Sequence, residues 1–178
     1  MVTYLTRIAA AAAAFFSLIS VSQASLIGDT VVVSNHFPDL ATVVDSTSVT
    51  VGAGVEVTCP SMCLGDILID GESIDIGDFT IALNLRPAHY RGSAFNGFVF
   101  ESLDLGGPIT GFLLATSVAG LDSSRIAFGA DFLRINMADL IGGPVQITLL
   151  TAVPEPASLA LLGGGLAALG LLRRRRRS

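Results

Sequence analysis

The sequence predicts an all-β body, an antiparallel β-sandwich of jelly-roll-like kind, set between an N-terminal signal helix and a short C-terminal transmembrane helix. Three observations predict this. Residues 48–59 alternate between apolar and polar with a period of two, turn-forming pairs punctuate the chain beyond them, and both ends are apolar. The length of 178 residues suits about one domain. With 51% hydrophobic and 14% charged residues, the chain is too apolar to be disordered, and part of it is expected to meet lipid.

The first element is residues 1–24. Arg7 supplies a positive flank, and residues 8–21 form an alanine-rich apolar core containing Phe15, Phe16, Leu18 and Ile19. Ser22-Gln23-Ala24 then places small residues where a signal peptidase inspects the chain, so cleavage is expected between Ala24 and Ser25. An apolar run of about 14 residues is short against the roughly 20 a span needs, which favours a removed signal over a retained anchor.

Residues 25–152 form the body. Its first strand is expected at 30–33. From Ser48 onward, Val49, Val51, Ala53, Val55, Val57 and Cys59 share one face, with Ser48, Thr50, Gly52, Gly54, Glu56 and Thr58 on the other. That alternation reads as one long half-buried strand. Further strands are expected at 66–69, 79–85, 97–103, 109–115, 125–129, 132–137 and 145–150. Asp70-Gly71, Asn96-Gly97, Gly106-Gly107-Pro108, Asp122-Ser123-Ser124 and Gly142-Gly143-Pro144 supply the turns between them. One helical turn is expected near 138–141, and the body's phenylalanines are expected to fill the core.

The last element has a different grammar. Pro154-Glu155-Pro156 ends the preceding structure, because neither proline has a backbone donor. Residues 157–172 then carry no charge, and Arg173, Arg174, Arg175, Arg176 and Arg177 follow before the final Ser178. Sixteen helical residues reach about 24 Å, short of a hydrocarbon core of roughly 30 Å. Snorkelling arginines and local thinning of the bilayer make such a span feasible. The arginine block should stay cytoplasmic, leaving everything before Pro154 outside. Two independent features thus predict one topology.

Val153-Pro154-Glu155-Pro156, the glycine-rich apolar segment and the terminal arginine cluster together resemble the PEP-CTERM sorting signal of Gram-negative bacteria. The resemblance covers residues 153–178. It implies export, transient membrane anchoring by the tail and processing by exosortase, a membrane-embedded cysteine transpeptidase. It also implies a setting among exopolysaccharide or biofilm matrix. The same tail goes under the label "ice-binding protein C-terminal domain", a name that implies no ice binding here. Pro154, Glu155 and Pro156 carry over as recognition elements and Arg173 to Arg177 as the stop; these are substrate positions, not catalytic ones. The partners implied are signal peptidase, exosortase, the membrane and exopolysaccharide. The implied location is the inner membrane with the body in the periplasm, then the cell surface or extracellular matrix. The stretch 94–104, Ser124-Arg125-Ile126 and residues 132–137 are loosely similar to bodies found ahead of such tails, which implies a small β-sandwich without assigned activity.

The tail also has a physical reading of its own. The prolines hold its approach to the membrane extended, as a protease cleft requires. Gly163-Gly164-Gly165 weakens the helix and lets another helix approach closely, so the tail suits temporary better than permanent anchoring.

The body offers few chemical candidates. It carries 14 acidic and four basic residues, a charge of 4 − 14 = −10, which repels phosphate backbones and argues against nucleic-acid binding. Cys59 and Cys63 are expected to form a disulfide, since exported chains with paired cysteines favour one. Zinc would need two more ligands, and only the distant His36 and His89 offer themselves. Asp66, Asp70, Glu72, Asp75 and Asp78 form an acidic run that fits no calcium-loop spacing, so Asp70-Gly71-Glu72 reads as a solvated hairpin turn. His36 and His89 lack a neighbouring nucleophile motif, while carboxylates paired in space stay open as a hydrolytic device. With no tryptophan and Tyr90 the body's one tyrosine, a sugar-stacking platform has little to build on. Arg86-Pro87-Ala88-His89-Tyr90-Arg91 is the one basic, aromatic patch, either facing an acidic polysaccharide or balancing local acidity as a solvated loop. No cofactor is expected. The sequence therefore reads as a non-catalytic exported envelope or matrix protein. A carbohydrate- or calcium-dependent binding module, or a small secreted hydrolase, is the alternative.

Overall fold

Alternating apolar residues, separated by glycine- and proline-containing turns, build ten strands in the computed structural model, which describes residues 25–63, 68–152 and 164–165. In order these are β1 (Thr30–His36), β2 (Val43–Thr50), β3 (Val55–Thr58), β4 (Ser73–Ile76), β5 (Thr80–Asn84), β6 (Gly97–Glu101), β7 (Ile109–Thr116), β8 (Ile126–Phe128), β9 (Phe132–Asn136) and β10 (Pro144–Thr151). They pair into two five-stranded antiparallel sheets, β2-β1-β6-β9-β8 and β3-β4-β5-β10-β7. The fold is all-β and sandwich-like. β1–β2, β3–β4–β5 and β8–β9 are sequence neighbours that pair directly, a pattern of hairpins that departs from the eight-stranded double Greek key of a jelly roll.

The core draws alternate residues from both sheets. Val31, Val33, Phe98, Phe100, Leu133 and Ile135 from one join Val57, Ile74, Ile76, Ile81, Leu83, Val145, Ile147 and Leu149 from the other in one cluster. At about 1.5–3 kcal/mol for each large side chain buried, this cluster is the main source of stability. Of the body's phenylalanines, Phe98 and Phe100 are fully buried, whereas Phe79 and Phe128 are exposed, so branched aliphatics fill more of the core than expected. Gly97 opens β6 because a Cβ there would run into the carbonyl oxygen of Ile135 across the β6–β9 pairing.

The structure corrects several expectations. Residues 48–59 are two strands in different sheets. The chain turns the corner at 51–54, where Gly52 and Gly54 have no side chain to hold a ladder, and one carboxylate fastens the corner. Glu56 Oε1 accepts from the Gly52 amide at 2.9 Å, and Oε2 accepts from the Ile76 amide at 2.7 Å. The expected strand 66–69 lies partly outside the described residues, and Leu68 and Ile69 are loop, with Leu68 buried and its amide bonded to the Cys63 carbonyl at 3.3 Å. β4 instead occupies 73–76. The expected helical turn near 138–141 is a tight turn with Asp139 at φ 63°, and the single-turn 3-10 helix lies at Ser123–Arg125, capped by Asp122.

The expected signal helix and the expected transmembrane helix at 157–172 lie outside the described residues, apart from Gly164 and Gly165, which are helical and exposed. Among the described residues no helix is long and apolar enough to cross a membrane.

Candidate functional site

The sorting residues Pro154, Glu155, Pro156 and Arg173 to Arg177, and Ala24 of the expected cleavage site, lie outside the described residues. Ser25 donates from Oγ to Asp78 Oδ1 at 2.5 Å, and Leu26, fully buried, donates its amide to the Asp78 carbonyl at 3.0 Å. At the other junction β10 ends at Thr151, and the Ala152 amide reaches the Pro108 carbonyl at 3.4 Å. Two residues, Ala152 and Val153, separate Thr151 from Pro154, so the contour between them is at most about 11 Å.

The basic segment 86–91 rests on a carboxylate that the sequence reading placed in water. Asp70-Gly71 makes the expected turn, with Gly71 at φ 89°. Glu72 does not stay in it: only 1% exposed, it accepts from the Arg86 amide at 2.6 Å on Oε1 and from the Ile69 amide at 2.9 Å on Oε2. The Glu72 carbonyl accepts from the Cys59 amide at 3.2 Å. Cys59 and Cys63 form the expected disulfide, with 4.4 Å between Cα atoms. Glu72 thus joins the disulfide loop through its carbonyl, and residue 69 and the segment after β5 through its carboxylate, into one knot. Buried carboxylates persist only with such donors.

Above this knot lies a cavity of about 360 Å³ lined by Phe37, Ile69, Glu72, His89, Tyr90 and Arg91, among others. Arg86, His89 and Arg91 are exposed, and the Arg91 guanidinium sits 6.0 Å from the Phe37 ring centroid. Tyr90 is buried, and its hydroxyl has no hydrogen-bond partner among the described residues. Burial, and then the Glu72 charge, push its pKa far above the usual tyrosine range, so it is a neutral hydroxyl at any physiological pH.

Sequence reasoning missed a pair on β1. Ser34 and His36 are two residues apart and therefore on one face of the strand, the only signal that could have found them. Ser34 Oγ lies 2.9 Å from His36 Nε2, and His36 Nδ1 lies 2.8 Å from the Leu40 carbonyl oxygen. A carbonyl only accepts, so Nδ1 carries a proton, and in the neutral ring Nε2 accepts from Ser34, whose hydroxyl also lies 3.5 Å from the Val99 carbonyl oxygen. This is the nucleophile–base contact of a hydrolase, but Ser34 is 4% exposed and the His36 ring meets Phe95 edge-on, centroids 6.3 Å apart. It is closed to substrate.

The acidic run does not converge. Asp70 lies in the turn, Glu72 faces inward, Asp75 is exposed on β4, Asp78 binds Ser25, and Asp66 lies outside the described residues. Among the described residues the potential metal-ligating atoms that do cluster are those of Cys59, Cys63 and Asp70, and the two sulfurs are bonded to each other.

A larger cavity, of about 530 Å³, opens elsewhere. Arg125 and Arg134 line it together with Ser93, Ser124, Asn136 and Asp139, among others. No motif marks it, because the two arginines belong to the 3-10 turn and to β9 and meet only through the β8–β9 pairing.

The family model for the PEP-CTERM protein-sorting motif matches residues 152–177. No curated protein and no solved structure matches the chain.

Proposed function

We infer from the PEP-CTERM sorting motif at residues 152–177 that the chain is an exported protein processed by exosortase, and that its body is a non-catalytic component of the cell envelope or biofilm matrix. The motif match is the observation that carries the reading. Signal peptidase cuts between Ala24 and Ser25, residues 157–172 hold the product in the inner membrane, and Arg173 to Arg177 stop it from passing through. The body then stands in the periplasm until exosortase acts near Pro154-Glu155-Pro156, and moves on to the cell surface or matrix, where exopolysaccharide is its expected neighbour. The short contour between Thr151 and Pro154 supports processing with the folded body close beside the enzyme. The closed Ser34–His36 pair and the Glu72 carboxylate committed to backbone amides support a role in structure and interaction rather than turnover.

Fractionation and intact mass in a host with exosortase test this. The mature product is expected to start at Ser25 and to lack the arginine block. A variant with Arg173 to Arg177 changed to glutamine is expected to accumulate unprocessed. Recovery of the full-length wild-type chain from the cytosol, or identical processing of the glutamine variant, overturns the reading.

A further inference from the structure

Four arginines serve a body of 14 acidic residues, and two of them, Arg125 and Arg134, line one cavity of about 530 Å³. Among the described residues neither forms an ion pair. Arg125 Nη1 donates to the Ala138 carbonyl at 2.7 Å, and the Arg134 guanidinium packs 4.4 Å from the Phe132 ring centroid, with its Nε buried and lacking an acceptor among the described residues. An unmatched buried donor on a cation is costly, about 1–3 kcal/mol or more. In an acidic body, where carboxylates are plentiful, two half-buried cations that form no ion pair among the described residues are best explained by an anion from outside.

The polar groups around the arginines say more about that anion. Ser93 Oγ donates to the Phe95 carbonyl at 2.7 Å, and Ser124 Oγ donates to Asp122 Oδ1 at 2.6 Å. Both hydroxyl protons are committed, so towards the cavity these oxygens can only accept. The Asp139 carboxylate, also in the lining, accepts as well. Asn136 is mostly committed to the chain, its Oδ1 taking the Asn96 and Ala138 amides and one N–H of its Nδ2 donating to the Ala94 carbonyl. The cavity therefore offers cationic donors alongside neutral and anionic acceptors. An inorganic anion satisfies the first set and has no hydroxyl donors to offer the second. A neutral sugar satisfies the second set and leaves the arginines unmatched. A carboxylate with hydroxyl groups of its own satisfies both, and the volume lies within the range that holds small ligands.

We propose that this cavity binds a hydroxylated carboxylate of roughly monosaccharide size, the guanidinium groups of Arg125 and Arg134 taking the carboxylate and Ser93, Ser124 and Asp139 accepting from its hydroxyls. The site stands on the body's own residues and not on the sorting motif, so either reading can fail alone.

The test is a titration of the full chain in detergent with sodium glucuronate as probe, followed by calorimetry and by amide chemical shifts. Glucose and acetate at matched ionic strength are the comparators. Saturable binding is expected, with glucose and acetate each weaker by about tenfold or more. Arg134→Lys keeps the charge and the packing on Phe132 but loses the fork, and Arg125→Gln loses the charge; each is expected to weaken glucuronate about tenfold. If either variant fails to fold, the wild-type shifts decide: they must centre on Ser93, Ser124, Arg134 and Asp139. Absence of saturation, equal affinity for acetate or glucose, unchanged affinity in both folded variants, or shifts centred elsewhere each overturns the proposal.

Discussion

Replacing Glu72 should unfasten the body more than any other carboxylate change in it. The side chain is 1% exposed and its two oxygens take separate backbone amides, Arg86 at 2.6 Å and Ile69 at 2.9 Å. Glu72→Ala leaves both amides without an acceptor, and at about 1–3 kcal/mol each the loss is about 2–6 kcal/mol. For a body of this size one kcal/mol corresponds to about 4 °C in Tm, so a fall of roughly 8–24 °C is expected. Glu72→Gln retains one acceptor and presents an amide nitrogen to the other N–H, so it should lose about half as much. Far-UV circular dichroism melts of the oxidised exported protein measure both. The reasoning about the knot is wrong if the alanine variant melts within about 2 °C of wild type, the range of an ordinary surface change. An alanine variant more stable than the glutamine variant would refute it equally.

Other outcomes follow from single contacts. Gly97→Ala drives a Cβ into the Ile135 carbonyl, where backbone must move, and should cost about 3 kcal/mol in denaturant unfolding, whereas Gly52→Ala meets nothing within 4 Å and should change stability by under about 1 kcal/mol. Tyr90 has its folded pKa raised above the ordinary 10.0, first by burial and then by Glu72, so its contribution to stability is fully present below pH 10.0 and is lost as the pH rises further. Tyrosinate absorbance of the processed protein should accordingly appear only together with unfolding, and a reversible titration in the folded state would contradict this. Asp122 is held below the usual carboxylate range, first by the Ser124 hydroxyl, then by the Ser124 amide, with a smaller contribution from Arg125. Its contribution is present above the ordinary value of 3.8 and fades as the pH falls through the lowered one. In Ser124→Ala its carboxyl resonance should titrate closer to 3.8, and an unmoved midpoint would remove the hydroxyl from the explanation.

Local chemistry was enough for much of this protein. The alternation in 79–85, 109–115 and 145–150 announced strands that the structure places at Thr80–Asn84, Ile109–Thr116 and Pro144–Thr151. Cys59 and Cys63 were close enough in sequence to predict their bond, and the tail was readable because a sorting motif is recognised as an extended string. Other features depended on residues far apart in the chain. Alternation has the same period on both sides of a corner, so nothing local divided 48–59 between two sheets; the Glu56 carboxylate bonded to Ile76 did. Ser73-Ile74-Asp75-Ile76 is too short and too acidic to read as a strand until β3 and β5 flank it. Glu72 resembled a solvated turn residue because its burial is imposed by Arg86, on the far side of β5. The pairing of Arg125 and Arg134 across one cavity likewise exists only once β8 lies beside β9. Periodicity and short motifs are written within a few residues of themselves, whereas burial of a charge is decided by whatever the rest of the chain brings next to it.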